Sequence, residues 1–178
     1  MTFDEKLGAK IRAIKLAVFD VDGVMTDGAL HYGADGEMVK VFNTLDGHGM
    51  KMLMATGVNV AIISGRQSRA LARRSSDLGI TQLFMAVEDK GRVYIELLDS
   101  LKLSPREAAS IGDDVVDLPI LLNCGFAAAV PAAPKFVRER MDYVTEAHGG
   151  HGAVREFCEV IMAAQGTLVV ALDKYLPS

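Results

Sequence analysis

The apolar positions of this chain fall into two kinds of segment. Residues 15–21, Lys-Leu-Ala-Val-Phe-Asp-Val, form a short apolar run without polar alternation, the pattern of a strand buried on both faces of a parallel sheet. Comparable runs recur at 58–63, 81–85, 108–111 and 125–130. Between them, 46–56, 67–78, 88–101 and 114–123 carry helical spacing. Strand and helix therefore alternate, which predicts an α/β fold: a three-layer, doubly wound parallel sheet with right-handed crossovers. One segment departs from the alternation. Residues 29–32 and 37–42 are strand-like and flank Gly33-Ala34-Asp35-Gly36, the signal of a β-hairpin over about 29–42. Its apolar Leu30, Tyr32, Val39 and Val41 suit a flap or a contact with another subunit. The tail, about 166–178, holds Leu168-Val169-Val170-Ala171-Leu172 and is apolar enough to require a docking surface.

Composition narrows the class. The chain has 178 residues, 50% of them hydrophobic, which predicts a single domain over 1–178 whose core needs no disulfide or structural metal. A net charge of −4 argues against a nucleic-acid or anionic-membrane surface. No apolar run approaches the ~18 residues of a membrane span, and a cytoplasmic location is expected. Cys124 and Cys158 stand far apart with no metal-binding spacing and read as small buried hydrophobes.

In an open parallel sheet, ligands bind beyond the carboxyl ends of the strands, so the polar residues that follow each apolar run are the ones to weigh. The first run is followed by Asp20-Val-Asp22-Gly23-Val-Met-Thr-Asp-Gly28, and the second by Ser64-Gly65-Arg66. After the third, Lys90 opens a helix, and after the fourth stands Gly112-Asp113-Asp114-Val-Val-Asp117. Carboxylates for a hard cation, a lysine, a hydroxyl, and glycines that expose backbone N–H groups together make a phosphate site. A carboxylate nucleophile, Asp20, splits one difficult hydrolysis into two steps, and Asp22 would serve as acid and then base. That task favours a carboxyl whose pKa is raised by neighbouring acids. Asp113 completes a magnesium site, Asp117 orients a bound water, and Asp114 suits either task. Ser64 and Lys90 hold phosphoryl oxygens. Each element alone is weak, because such turns are commonly solvated loops; their order behind successive strands is what points to phosphate chemistry.

These motifs resemble those of the haloacid dehalogenase superfamily, and the resemblance spans residues 15–164. It implies a Rossmann-like fold, Mg2+ as cofactor, and Asp20, the Asp22 carbonyl and Asp113 as metal ligands. The gaps between motifs leave no room for a cap domain: Asp20 to Ser64 holds a hairpin and a helix, and Ser64 to Lys90 one helix and one strand. A cleft so open needs a large substrate or a neighbouring subunit as its cover, and a homotetramer is expected. More narrowly, the chain is similar to the capless 3-deoxy-D-manno-octulosonate 8-phosphate phosphatase family of lipopolysaccharide precursor synthesis. The residues that carry this are 20–28, Phe42-Asn43-Thr-Leu-Asp46-Gly47, Ile63-Ser-Gly-Arg66, Ile111-Gly-Asp-Asp114 and Gly152-Ala-Val-Arg-Glu156. The resemblance implies substrate contacts at Asn43, Asp46, Gly47, Lys51, Arg66 and Arg74, beside Asp22, Gly23, Gly65 and Lys90.

Arg66, Ala70 and Arg74 are spaced by four, which would put two guanidiniums on one helix face, suited to a sugar-acid carboxylate. Members acting on nine-carbon acids carry Glu at the position of Arg66, so Arg66 favours the eight-carbon substrate. Ser64 replaces a commoner threonine and keeps the hydroxyl. His151 stands where arginine is frequent and leaves another sugar phosphate or a nonulosonate 9-phosphate as alternatives. A receiver-like phospho-signalling module shares the aspartate, hydroxyl, lysine and magnesium, but its phosphoacceptor ends the third strand and lacks an acid two residues on.

Overall fold

A computed structural model describes residues 4–176; positions 1–3 and 177–178, the latter ending the expected tail, lie outside the described residues. The strands are β1 (Leu16–Phe19), β2 (His31–Gly33), β3 (Gly36–Val39), β4 (Asn59–Ile63), β5 (Gln82–Phe84), β6 (Ala108–Gly112), β7 (Phe126–Ala129) and β8 (Tyr143–Val144). Six of them form one sheet in the order β5-β4-β1-β6-β7-β8, and every pairing is parallel. The five anticipated strands are all present. The two-residue β8 is too short to show as an apolar run, and Asp142 anchors it by accepting from the Ala127 amide at 3.0 Å.

The unbroken apolar runs have a direct structural cause. In β1, Ala17 and Phe19 face one core while Leu16 and Val18 face the other, and β4 divides Val60 and Ile62 from Ala61 and Ile63 in the same way. The larger core receives α1 (Glu5–Arg12), α2 (Thr44–Ala55), α3 (Arg69–Leu78) and α7 (Ala153–Ala164). The smaller receives α4 (Lys90–Leu101) and α5 (Leu118–Leu121). Phe157 of α7 lies edge-on to Phe19 and stacked on Phe126, at 5.6 Å in each case. Truncating such a ring to alanine would cost about 3–5 kcal/mol. The remaining helices are α6 (Lys135–Arg138) and α8 (Leu168–Asp173), the latter formed by the apolar tail.

Two predicted helices are shorter than expected. Over 114–123 the chain makes a 3-10 turn at Val115–Asp117 before α5, because the Asp114 carboxylate caps it by accepting from the Val115 amide at 2.7 Å. Helix α3 starts at Arg69, since the Ser68 hydroxyl caps it by accepting from the Leu71 amide at 3.3 Å. Arg66 is thus off the helix.

The hairpin β2–β3 stands outside the main sheet. Ala34 and Asp35 make its turn with Gly33 opposite Gly36, and Gly36 takes the positive φ (+107°) that a glycine tolerates. Successive connections leave β1 toward β4 and β5 on one side and return to β6 and β7 on the other. The crevice at the carboxyl ends of β1 and β6 is therefore the switch point where this architecture places ligands.

Candidate active site

Each residue of the cleft is set by the element before it. Asp20 directly follows β1 and stays in register with β6, its amide donating to the Ile111 carbonyl at 3.1 Å. The turn beyond it is tied by Thr26, whose buried hydroxyl accepts from the amides of Gly23 (3.3 Å) and Gly28 (3.2 Å) and donates to the Val21 carbonyl. Ser64 directly follows β4 and is buried. Lys90 is the first residue of α4, after the Asp89 cap. A buried cation at the positive end of a helix dipole is unfavourable unless acids offset it. Two do: Lys90 Nζ donates to Asp20 Oδ1 at 2.5 Å and to Asp117 Oδ1 at 2.6 Å.

Asp20, Asp22, Ser64, Gly65, Arg66, Lys90 and Asp113 all line one cleft of about 360 Å³, with Leu30, Val87 and Val116 among the apolar parts of its wall. Asp20, Asp113 and Asp117 each bring one oxygen within 4.8 Å of the others. Burial pushes the Asp20 carboxyl up to about 7, with Asp117 adding to the rise and Lys90 opposing it. Burial likewise raises Asp113 to about 7, helped by Asp117 and Asp114. Burial opposes charge on Lys90, yet the fields of Asp20 and Asp117 and their hydrogen bonds outweigh it and raise its pKa. The site holds more negative charge than its lysine balances, and its donors are hard oxygens, so these residues fit a magnesium ion. Asp117 has both oxygens engaged, one by Lys90 and the other by the amides of Asp113 (3.0 Å) and Asp114 (3.3 Å).

Several expected contacts are placed differently. The Gly23 amide points to Thr26 rather than to the cleft; what glycine supplies there is clearance, because at its φ of +91° a Cβ would lie 2.1 Å from Asp113 Oδ2. Asp22 has cations as its direct partners, pairing with Lys40 and lying 3.5 Å from Arg66 Nε, while its charge also adds to the rise at Asp113. Arg66 also donates to the Tyr32 hydroxyl and sits 5.6 Å from that ring. Arg66 and Arg74 do not share a face, since the Ser68 cap leaves Arg66 in the loop.

Asn43, Asp46, Gly47 and Arg74 gather at the start of α2, outside the cleft wall. Asn43 caps α2 and donates to the Gly150 carbonyl at 3.2 Å. Asp46 is 2% exposed and caps α7, accepting from the Arg155 amide at 2.9 Å and from Gly152 at 3.4 Å, so its carboxylate is engaged within the fold. Arg74 donates to the Asn43 carbonyl at 3.2 Å and lies where a Cβ on Gly47 would stand, 2.1 Å from its Nη2. Lys51, on α2, is exposed and away from the cleft. His151 is exposed and lines a second cavity of about 460 Å³ across Asp113, with Asp27 and His148. Sequence reasoning passed over Lys40, because a lysine between Val39 and Val41 in an exposed strand reads as a solvated side chain.

Known proteins resemble this chain in sequence and fold. A sequence profile of haloacid dehalogenase-like hydrolases matches residues 86–157. The 3-deoxy-D-manno-octulosonate 8-phosphate phosphatase of Haemophilus influenzae is 45% identical over 157 residues, which cover 88% of this chain and 87% of that protein. A crystal structure of a probable YrbI family phosphatase from Pseudomonas syringae matches with a TM-score of 0.95 at 50% identity, covering 98% of this chain and 99% of that one. The Moraxella catarrhalis 3-deoxy-D-manno-octulosonate 8-phosphate phosphatase, solved with magnesium, phosphate and KDO, matches with a TM-score of 0.94 at 35% identity, covering 98% and 100%.

Proposed function

The chain belongs to the 3-deoxy-D-manno-octulosonate 8-phosphate phosphatase family, and from that premise we propose that it hydrolyses this eight-carbon sugar-acid phosphate to the free acid and phosphate. The observation that carries the reading is the single cleft in which Lys90 holds Asp20 at 2.5 Å while Asp22, Ser64 and Asp113 face the same space. Lys90 binds one oxygen of Asp20 and leaves the other for attack. That oxygen bonds to phosphorus as the bond from phosphorus to the sugar oxygen breaks, and Asp22 delivers a proton to the departing oxygen. Asp22 then takes a proton from water as the water oxygen attacks the aspartyl-phosphate, breaking the bond to Asp20 and freeing phosphate. Ser64 and Lys90 bind phosphoryl oxygens throughout. Asp20, the Asp22 carbonyl and Asp113 would hold magnesium, which would supply charge neutralisation for the phosphoryl group when bound. Arg66, on the cleft wall, is the residue placed to take the sugar-acid carboxylate.

The reading extends to a homotetramer in which neighbours cover one another's clefts. It is supported by exposed apolar side chains on the hairpin (Tyr32, Met38, Val39, Val41) and on α8 and the tail (Val169, Val170, Leu176). Asn43, Asp46, Gly47, Lys51 and Arg74 serve substrate, in this view, by shaping or completing a cleft that includes another subunit. Among the described residues no helix is long and apolar enough to cross a membrane, and we place the enzyme in the cytoplasm, without nucleic-acid partners.

Phosphate release from the eight-carbon ester, with magnesium and with chelator, tests the activity. Asp20→Asn is expected to lower turnover roughly 10³-fold or more, and Asp22→Asn by about 10²–10⁴-fold. Near-normal turnover by Asp20→Asn overturns the mechanism. Faster turnover of a nine-carbon keto-acid phosphate would move the substrate assignment and leave the chemistry in place.

A further inference from the structure

We infer that Lys40, delivered by the hairpin, is a positioning residue for Asp22, the acid/base of the proposed reaction; the inference rests on that reading. The lysine follows β3, where sequence alone suggests a solvated side chain, yet its side chain is 4% exposed. Lysine is rarely buried without partners. Here the ammonium is bracketed by two carboxylates, Asp22 Oδ1 on one side and Glu37 Oε1 at 3.1 Å on the other. Glu37 lies three residues earlier on the same hairpin, so the bracket is closed locally and then presented to the active site.

The two oxygens of Asp22 are held by different cations, and the two differ in what they are free to do. Arg66 Nε stands 3.5 Å from Asp22 Oδ2, beyond a good hydrogen bond, on a side chain 34% exposed to the cleft. A substrate carboxylate would compete for that guanidinium. Lys40 is away from the cleft wall and shielded from such competition. When Arg66 turns to substrate, Lys40 is the group that still fixes the Asp22 side chain, leaving Oδ2 directed at the reacting oxygens. Positioning of this kind is valuable because a misplacement of about 1 Å can cost about 10²-fold in rate. The arrangement mirrors the other half of the site, where Lys90 fixes one oxygen of Asp20. It also gives the hairpin a catalytic task beyond packing: the flap that carries Lys40 must be docked for Asp22 to be aimed.

The test compares leaving groups in single turnover with enzyme in excess. A sugar alkoxide needs the proton that Asp22 delivers, whereas nitrophenolate departs without one. Lys40→Met is expected to slow alcohol release from the sugar phosphate by about 10- to 100-fold and to slow nitrophenolate release from p-nitrophenyl phosphate far less. Lys40→Arg should restore most of the loss, and Glu37→Gln, which loosens the bracket, should give a smaller loss of the same kind. In an Asp22→Asn background, Lys40→Met should add less than about threefold, as expected for residues that act as one unit. Equal losses on both substrates, or losses that add in the Asp22→Asn background, would overturn the assignment. If Lys40→Met unfolds by circular dichroism, Lys40→Arg and Glu37→Gln decide the matter by the same two comparisons. Failure of the wild type on the eight-carbon ester would count against the substrate reading alone, since p-nitrophenyl phosphate and any turned-over sugar phosphate still report on Lys40.

Discussion

At the scale of single residues, the site is organised by a mismatch of charge. Asp20 and Asp117 converge on Lys90 with Asp113 beside them, and the carboxyls of Asp20 and Asp113 sit near 7 because burial and repulsion from neighbouring acids oppose their ionisation. The folded, metal-free chain therefore holds protons at these groups that the unfolded chain has released. Their contribution to stability is fully present below the ordinary aspartate pKa of about 4 and is lost as pH rises through about 7. Magnesium reverses the situation by favouring the ionised carboxylates. Its apparent affinity should rise as pH climbs through about 7, with proton uptake by the buffer on binding. Calorimetric titration in two buffers of different ionisation enthalpy, at pH 6 and at pH 8, checks this; a pH-independent affinity with no buffer dependence would refute it. The convergence of Asp20, Lys90 and Asp113 on one cleft was legible in the sequence because each follows a strand end, and strand ends are visible as the close of an apolar run. The capping role of Asp46 was hidden for the opposite reason. Its partner, the Arg155 amide, lies 109 positions away, a distance over which periodicity carries no information. Lys40 was hidden because a lysine in an exposed hairpin strand gives no sign that its amine turns inward.

At the scale of elements, the sheet holds the strand ends that line the cleft in register, and the link between β1 and β6 matters most because Asp20 and Asp113 leave from those two strands. That link is fastened at its opposite end. Lys15, just before β1, donates its amide to the Glu107 carbonyl at 2.7 Å, and its amine to Glu107 Oε1 at 2.6 Å. The Lys15 hydrogen bond, with the amide and hydroxyl of Ser104, draws the Glu107 carboxyl down to about 2. A depressed carboxyl contributes stability above its unfolded pKa of about 4.5, and that contribution fades as pH falls toward 2. Glu107→Gln should therefore lower the melting temperature at pH 7 by a small amount, and the gap to wild type should close as pH is taken from about 4.5 to 2. A gap unchanged at low pH would show that the carboxylate charge plays no part. The first five strands of the main sheet, the crossover helices and the hairpin were all foreseeable from the two periodicities. The start of α3 was not fixed by spacing, because Arg66, Ala70 and Arg74 fit a helix equally well until Ser68 is recognised as its cap.

At the scale of the molecule, a cleft with no cap of its own needs another cover to enclose a substrate, and Lys51 bears on where that cover comes from. The family resemblance gives this position a substrate contact, yet in a single chain Lys51 is exposed on α2 and does not line the cleft. Both statements hold together if the lysine reaches a neighbour's site, in an assembly that also covers the exposed apolar side chains of the hairpin and α8. Such a shared site makes a prediction that no monomeric site can meet. Asp20→Asn lacks a nucleophile but keeps Lys51; Lys51→Ala lacks the contact but keeps the nucleophile. Each homo-oligomer should be impaired. When the two are mixed in equal amounts and reassembled, a site formed from one chain's Asp20 and its neighbour's Lys51 is intact wherever a Lys51→Ala subunit adjoins an Asp20→Asn subunit. Random assembly places these in the required order at about half times half, so about one quarter of wild-type activity should return. Light scattering on the same samples should report a tetramer throughout. Adding Met38→Glu and Val41→Glu, which place charge on the exposed hairpin, should lower the mass and abolish the recovery together. A mixture whose activity equals the mean of its two parents would return Lys51 to its own chain and end the case for a shared cleft.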